Sequence, residues 1–338
     1  ATYKFIIIWI ITIIPILPIV LLFNTKTLDV PILETESDRI NKNKIKKIRD
    51  SLIDMQNIPF LKSVILIIFF NWMVINILEF QYTKAIQSDV LAHHIESMSF
   101  ESDIAKKLGT LHTIFNTGAL FIQLIFASRI MTSLGTVSAM LLHPVLNLMN
   151  FIIMTLRFNF VTASITRGSF ELSNLIFNNA YYSSYYGFKH EDRDDAKEMI
   201  QGIIKPIGAI IGTLTIAIIH NQFSNNISTF VLNMILVFVS MIMVVYCNDL
   251  RRKFTNMCEQ NLSRKNDINT RLNSIEILGQ NGHEKLPTSL TKILKRKTEP
   301  SILKEKILYT LGKKGAPENI PSIIEVLKNH DEDLKISA

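Results

Sequence analysis

The chain has 338 residues, of which 48% are hydrophobic and 19% charged, with a formal net charge of +7. That balance excludes a disordered, collagenous or disulfide-rich secreted chain, since the two cysteines, Cys247 and Cys258, cannot build a disulfide framework. It points instead to a membrane protein with two environments: residues 1–250 hold long apolar runs, and residues 251–338 are polar and charge-rich.

A helix needs roughly 20 apolar residues to cross a hydrocarbon core about 30 Å thick, because no water there satisfies its backbone groups. Seven stretches are read as spans. The first, Phe5–Phe23, is uncharged, too long for the core of a signal peptide and followed by no small-residue cleavage site. A basic linker at 25–60 comes next, with Ile40, Ile45, Ile48, Leu52 and Met55 at helical spacing among lysines, as in an amphipathic helix lying on an anionic leaflet. Further spans are expected at Leu61–Phe80, Leu108–Ser128, Thr136–Leu156, Phe160–Tyr186, Ile200–His220 and Ile227–Cys247. The fifth is amphipathic, carrying Arg167, Glu171, Asn174, Asn178 and Asn179. It reads either as a span facing a polar cavity or as an interfacial or extramembrane helix.

Lysine and arginine are retained on the cytoplasmic side, so their distribution orients the spans. The connections after the first, third, fifth and seventh spans hold fourteen (seven between Lys26 and Arg49, then Arg129, Lys189, Arg193, Lys197 and Arg251 to Lys253), whereas the alternate ones hold Lys84, Lys106, Lys107 and Arg157. This asymmetry places the C-terminal region in the cytoplasm of a multi-pass protein of the inner (plasma) membrane.

After a bridge at 251–265, the sequence repeats at a period of 33: Leu278-Gly279 recurs as Leu311-Gly312, Gly282 as Gly315 and Leu294 as Leu327, while Leu286-Pro287 returns one residue late as Ile320-Pro321. Each unit predicts a helix, a glycine turn and a proline-started helix. The pattern resembles HEAT repeats, helix pairs that bury their apolar faces only by stacking on neighbours. The resemblance implies an α-solenoid over 266–338 that binds a protein partner. The chain opens on Ala1 rather than Met, and Asp331–Ala338 looks like the first turn of another pair, so a longer protein is expected at both ends.

The motifs of several activities are missing. No G-x-x-x-x-G-K-[ST], H-E-x-x-H or G-x-S-x-G occurs, and His93-His94 and His283-Glu284 lack the spacing of a metal or nucleophile site. The expectation is therefore a protein that is not an enzyme and uses no cofactor or metal. The basic excess tracks one membrane face, so it speaks of topology and lipid contact and not of nucleic acid. What remains is a set of polar residues within the spans: Asn76 and Glu79 in the second, Asn116 in the third, Arg167, Glu171 and Asn178 in the fifth and Lys205 in the sixth. A charge at the bilayer centre costs ~2.5–3.5 kcal/mol on the lowest scale, so these groups should face one another or a wet pathway. Lys205 precedes Pro206 and is flanked by Gly202, Gly208 and Gly212, which would let a neighbour approach closely. An anionic solute or a partner glutamate would stabilise its charge.

One span (1–24), a basic linker and six more spans (61–250) resemble the last helix of the first half and the whole second half of a major facilitator superfamily transporter. Three segments are similar to the ATP/ADP antiporter (nucleotide translocator) family and its bacterial relatives fused to HEAT repeats. They are Ile75–Lys84 with Glu79 before an aromatic and a lysine, Arg129–Gly135 with Pro144 downstream, and Asp194–Gly202 leading into the penultimate span. The resemblance implies an all-α polytopic bundle and a secondary transporter moving a nucleotide or other anionic solute. The alternative is a transport-inactive scaffold subunit of a larger complex.

Overall fold

The computed structural model describes residues 58–93, 99–280, 288–296 and 298–314, together with 320, 321 and 324. The chain divides into units at 1–52 and 53–338, and the described residues all belong to the second. The expected first span and amphipathic linker helix lie outside the described residues.

The described residues are all-helical. Helix α1 is Pro59–His93, α2 Phe100–Ile122, α3 Ser128–Leu134, α4 Thr136–Leu156, α5 Phe160–Ser184, α6 His190–Met199, α7 Lys205–Gln222 and α8 Asn225–Asn261, followed by α9 Ile268–Gln280, α10 Thr288–Leu294 and α11 Ser301–Lys314. Five segments are long and apolar enough to cross a membrane: Pro59–Ala92, Phe100–Leu134, Thr136–Leu156, Asp192–Gln222 and Asn225–Asn261. They coincide with five of the expected spans. The sixth candidate in this region, α5, is a continuous helix of 25 residues whose polar face keeps it out of the apolar class.

Local sequence sets the boundaries. Ser99 caps α2 by accepting from Ser102 N–H, and the N-terminus of α5 carries a reciprocal capping box in which Asn159 and Thr162 each accept from the other's backbone N–H. Gly135 separates α3 from α4 with φ 81°, a backbone conformation that side-chain-bearing residues rarely adopt. Two π-helical turns interrupt the outer helices, Gln123–Ala127 between α2 and α3 and Ile200–Ile204 between α6 and α7. The second has an identifiable cause. Pro206 has no N–H to give the Gly202 carbonyl and would clash with it, so the ladder widens and Lys205 N–H bonds to Ile200 O.

Helices α1, α4, α5 and α8 form the inner layer, with α4 packed on both α5 and α8, and α1 on α5 and α8. Helices α2 and α7 lie outside it. Half of the apolar window of α1 is buried, against 11% for Phe100–Leu134 and 11% for Asp192–Gln222. Helix α7 docks on α1 through glycine. A Cβ on Gly208 would stand 2.5 Å from Phe69 O, and one on Gly212 2.8 Å from Met73 O, so only hydrogen lets the two backbones come this close. Helix α1 runs antiparallel to α8: the Phe60 and Phe254 rings lie 4.7 Å apart, Lys253 Nζ donates to Ser63 Oγ, and at the other end Gln81 Nε2 donates to Thr229 O and Asn233 Oδ1.

Helix α8 continues well past its apolar run and carries the tail. Asn261 Nδ2 donates to Gly187 O at 2.7 Å, fixing the helix end to the short 3-10 turn Tyr185–Gly187, against which α9 also packs. Helix α11 lies on α9 with the Thr310 methyl seated over Gly279, where a Cβ would be only 2.3 Å away. Gly312, one repeat later than Gly279, has nothing within 4 Å of that position. Glu299 is buried between α9 and α11, accepting from Arg264 Nε and Arg271 Nη2, each at 2.7 Å. The glycine turn at 282, Pro287 and most of the second helix of the second repeat lie outside the described residues.

Candidate functional site

Two helices bring together most of the polar residues that the sequence singles out. On α1, Trp72, Asn76 and Glu79 follow at intervals of four and three, which puts them on one face. On α5, Arg167, Glu171, Asn174, Asn178 and Tyr182 keep the same rhythm. The two faces meet in antiparallel register. Glu79 opposes Arg167, and Asn71 Nδ2 donates to Asn174 Oδ1 at 3.1 Å two turns away.

Arg167 is the centre of the first cluster. Its side chain is only 9% exposed, yet Nε donates to Glu79 Oε2 at 2.7 Å and Nη1 to Glu171 Oε2 at 2.5 Å. The carboxylates are more open, at 41% and 33%. One guanidinium and two carboxylates leave a net charge of −1, and the open carboxylate oxygens are where a proton, a cation or water would meet it. The second cluster surrounds Lys205, whose Nζ lies 5.5 Å from the Trp72 ring and 5.8 Å from the Tyr182 ring. Both distances suit attraction of the ammonium to the ring faces, which holds the cation without neutralising it. Glu79 and Trp72 are seven residues apart on α1, so the clusters are about 10 Å apart along the helix.

A third set is sealed in the interior. His143, fully buried on α4, has Nε2 2.8 Å from Asn71 Oδ1 and Nδ1 2.8 Å from Ser173 Oγ. Because the Asn71 amide nitrogen already donates to Asn174, its oxygen accepts, and Nε2 is the protonated ring nitrogen. Phe170 and Phe177 pack against the ring, and Asn147 lies beside it with its Nδ2 3.0 Å from Nε2, where two donors face each other, and its buried Oδ1 without a partner. This hub ties α1, α4 and α5 together directly beneath the polar faces of α1 and α5.

Of the residues singled out from sequence, Glu79, Arg167 and Glu171 are joined in one cluster, and Lys205 is held against the same two helices by Trp72 of α1 and Tyr182 of α5. Asn76 donates to Trp72 O within its own helix at 2.8 Å, and Asn178 sits half-buried on the shared face of α5. Asn116 is exposed on α2, apart from both clusters. Sequence reasoning passed over Trp72 and Tyr182, whose rings read as packing, and His143 with Asn147. The last two carried a usable signal: a histidine and an amide four residues apart in an apolar run next to Pro144. Among the described residues, no group of three or more His, Cys, Asp or Glu is arranged to hold a metal ion.

Comparison with known protein families, curated proteins and solved structures returns no match for this chain.

Proposed function

We propose that residues 61–250 are a six-span bundle of the major facilitator type, the C-terminal half of a secondary transporter similar to the nucleotide translocators. In this reading α5 is a span, Phe5–Phe23 is the first of seven spans, and the tail is a cytoplasmic HEAT-like solenoid that binds a protein partner. The observation that carries the reading is the continuous polar face shared by α1 and α5, with a clamped Arg167, half-open carboxylates at Glu79 and Glu171 and the aromatic-flanked Lys205. Charges at membrane depth are expensive where they only pack, and a pathway that wets them in turn offsets that cost. The thin burial of α2 and α7 supports the same picture, since two poorly covered helices suit a bundle that rocks against another around a central site.

The substrate class is an anionic solute, a nucleotide first, bound through Lys205, with the Arg167 cluster as the place where a proton or cation is exchanged. Proteoliposomes containing the full protein and loaded with unlabelled nucleotide should take up labelled ATP or ADP. Lys205→Ala should reduce uptake at least tenfold, and Lys205→Arg should retain part of it. Absence of flux for nucleotides and other anionic solutes would overturn the reading.

A scaffold that transports nothing is the second reading, and the His143 hub favours it, because it joins α1, α4 and α5 through hydrogen bonds in the buried interior. Stable co-purification within a larger membrane complex, together with absence of flux, would support it.

A further inference from the structure

A cavity of about 590 Å³ opens where the bundle meets the tail, between the start of α1, the start of α6 and the end of α8. Its polar wall carries Lys189, Lys253 and Lys265 against one carboxylate, Asp192, with the amides of Asn256 and Gln260 beside them. Pro59, Phe188 and Met257 line the rest. The lysines are not equivalent. Lys253 is already engaged, donating to Ser63 Oγ at 2.8 Å and paired with Asp249 at 2.9 Å, whereas Lys189 and Lys265 are exposed. A second observation has the same sign. Lys189 is the N-cap of the ten-residue helix α6 and makes no side-chain cap; Asp192 N–H and Arg193 N–H bond to Lys189 O, and the backbone N–H groups of His190 and Glu191 at the start of the helix favour an anion.

The level of the cavity narrows the ligand further. Lys253 lies six residues beyond Cys247, the end of the uncharged run of α8, which is about 9 Å along a helix and matches the headgroup layer next to the hydrocarbon. An excess of lysine, amide donors and an apolar wall at that level is the arrangement that receives a phosphate with an apolar attachment.

We propose that this junction is a binding site for a phosphate group, presented by an anionic phospholipid headgroup or by a soluble phosphate compound, and that its occupation ties the tail to the bundle. The site is separate from the Arg167 and Lys205 clusters, and its existence does not depend on transport.

The test uses the full chain in nanodiscs of phosphatidylcholine with and without phosphatidylglycerol, and in detergent with and without inorganic pyrophosphate at constant ionic strength. Cys247 and Cys258 are both buried, so a thiol-reactive dye reads the unfolding midpoint, and native mass spectrometry counts bound lipid. Anionic lipid or pyrophosphate should raise the midpoint. The double variant Lys189→Glu, Lys265→Glu should weaken binding about tenfold or more and abolish the shift. Lys292→Glu, the same charge change on α10 away from the cavity, should leave it intact. A shift with phosphatidylglycerol alone assigns the lipid, and a shift with pyrophosphate in detergent assigns the soluble phosphate. No shift with either, or the same shift in the double variant, would overturn the proposal.

Discussion

A guanidinium within a membrane-length bundle is tolerated where both its charge and its fork of donors are met, and Arg167 meets Glu79 through Nε and Glu171 through Nη1. Removing the cation leaves the Glu79 and Glu171 carboxylates together without it, so Arg167→Met should destabilise the bundle more than Glu79→Gln does. In a double-mutant cycle over these two positions the expected coupling is about 1–3 kcal/mol, read from unfolding midpoints. Additive effects would mean that water, not Glu79, carries the charge. The charged members of the site were legible in the sequence because a charge in an apolar run stands out by cost alone. Their pairing was not, since Glu79 and Arg167 are separated by 88 positions and only the register of α1 against α5 brings them together. Trp72, Tyr182 and His143 were less visible still, because an aromatic ring in a span has the same periodicity whether it packs or flanks a cation.

Among the elements, the α1–α7 pair depends on two glycines. Gly208→Leu or Gly212→Leu drives a side chain into the backbone of α1 at Phe69 or Met73 and should cost about 1–3 kcal/mol, with Lys205 displaced from Trp72. Gly202→Ala meets nothing within 4 Å and should not lower the midpoint, and should raise it slightly by favouring the helix. The tail carries an acid-sensitive joint. Burial raises the pKa of Glu299, but hydrogen bonds and charge from Arg264 and Arg271 more than offset this and hold it below the ordinary glutamate value. Asp267 is likewise held low, by hydrogen bonds from the Thr270 side chain and backbone. Groups with depressed folded-state values contribute stability above their unfolded values and lose it as the pH falls through the folded ones. The protection factors of the α9 and α11 amides, that is, exchange relative to the intrinsic rate at each pH, should therefore be high near pH 7 and fall below about pH 4, before the bundle opens. Glu299→Gln should reproduce the loosening at neutral pH, costing about 3 kcal/mol by leaving Arg271 buried without a counter-charge.

For the whole molecule, the antiparallel pairing of α1 with α8 places Ser88 near one end of the bundle and Arg252 near the other. With Cys247 and Cys258 buried, background labelling should be low. Ser88→Cys should react with an impermeant maleimide from outside the cell, and Arg252→Cys only after permeabilisation. The opposite result would reverse the orientation argued from the basic connections. The relation of tail to bundle is a property of this scale as well. The contacts of Asn261 with Gly187 and of α9 with the 3-10 turn join residues far apart in the chain, and no repeat pattern foretells where the tail helices will dock.

The sequence by itself determined the class of structure. Long apolar runs from Leu61 to Cys247 require helices of membrane length, because unpaired backbone is too costly in hydrocarbon, and the 33-residue spacing of Leu-Gly pairs marks two helix ends in the tail. It also determined which residues were too polar to be incidental, through their cost alone. Tertiary structure decided everything that depends on which face meets which. It set Arg167 between two carboxylates, gave Lys205 its aromatic flanks, buried His143 as a hub and placed Thr310 over Gly279 while leaving Gly312 open. Each of these rests on the rotation and register of one helix against another, which are fixed by long-range packing that the local pattern of the chain does not encode.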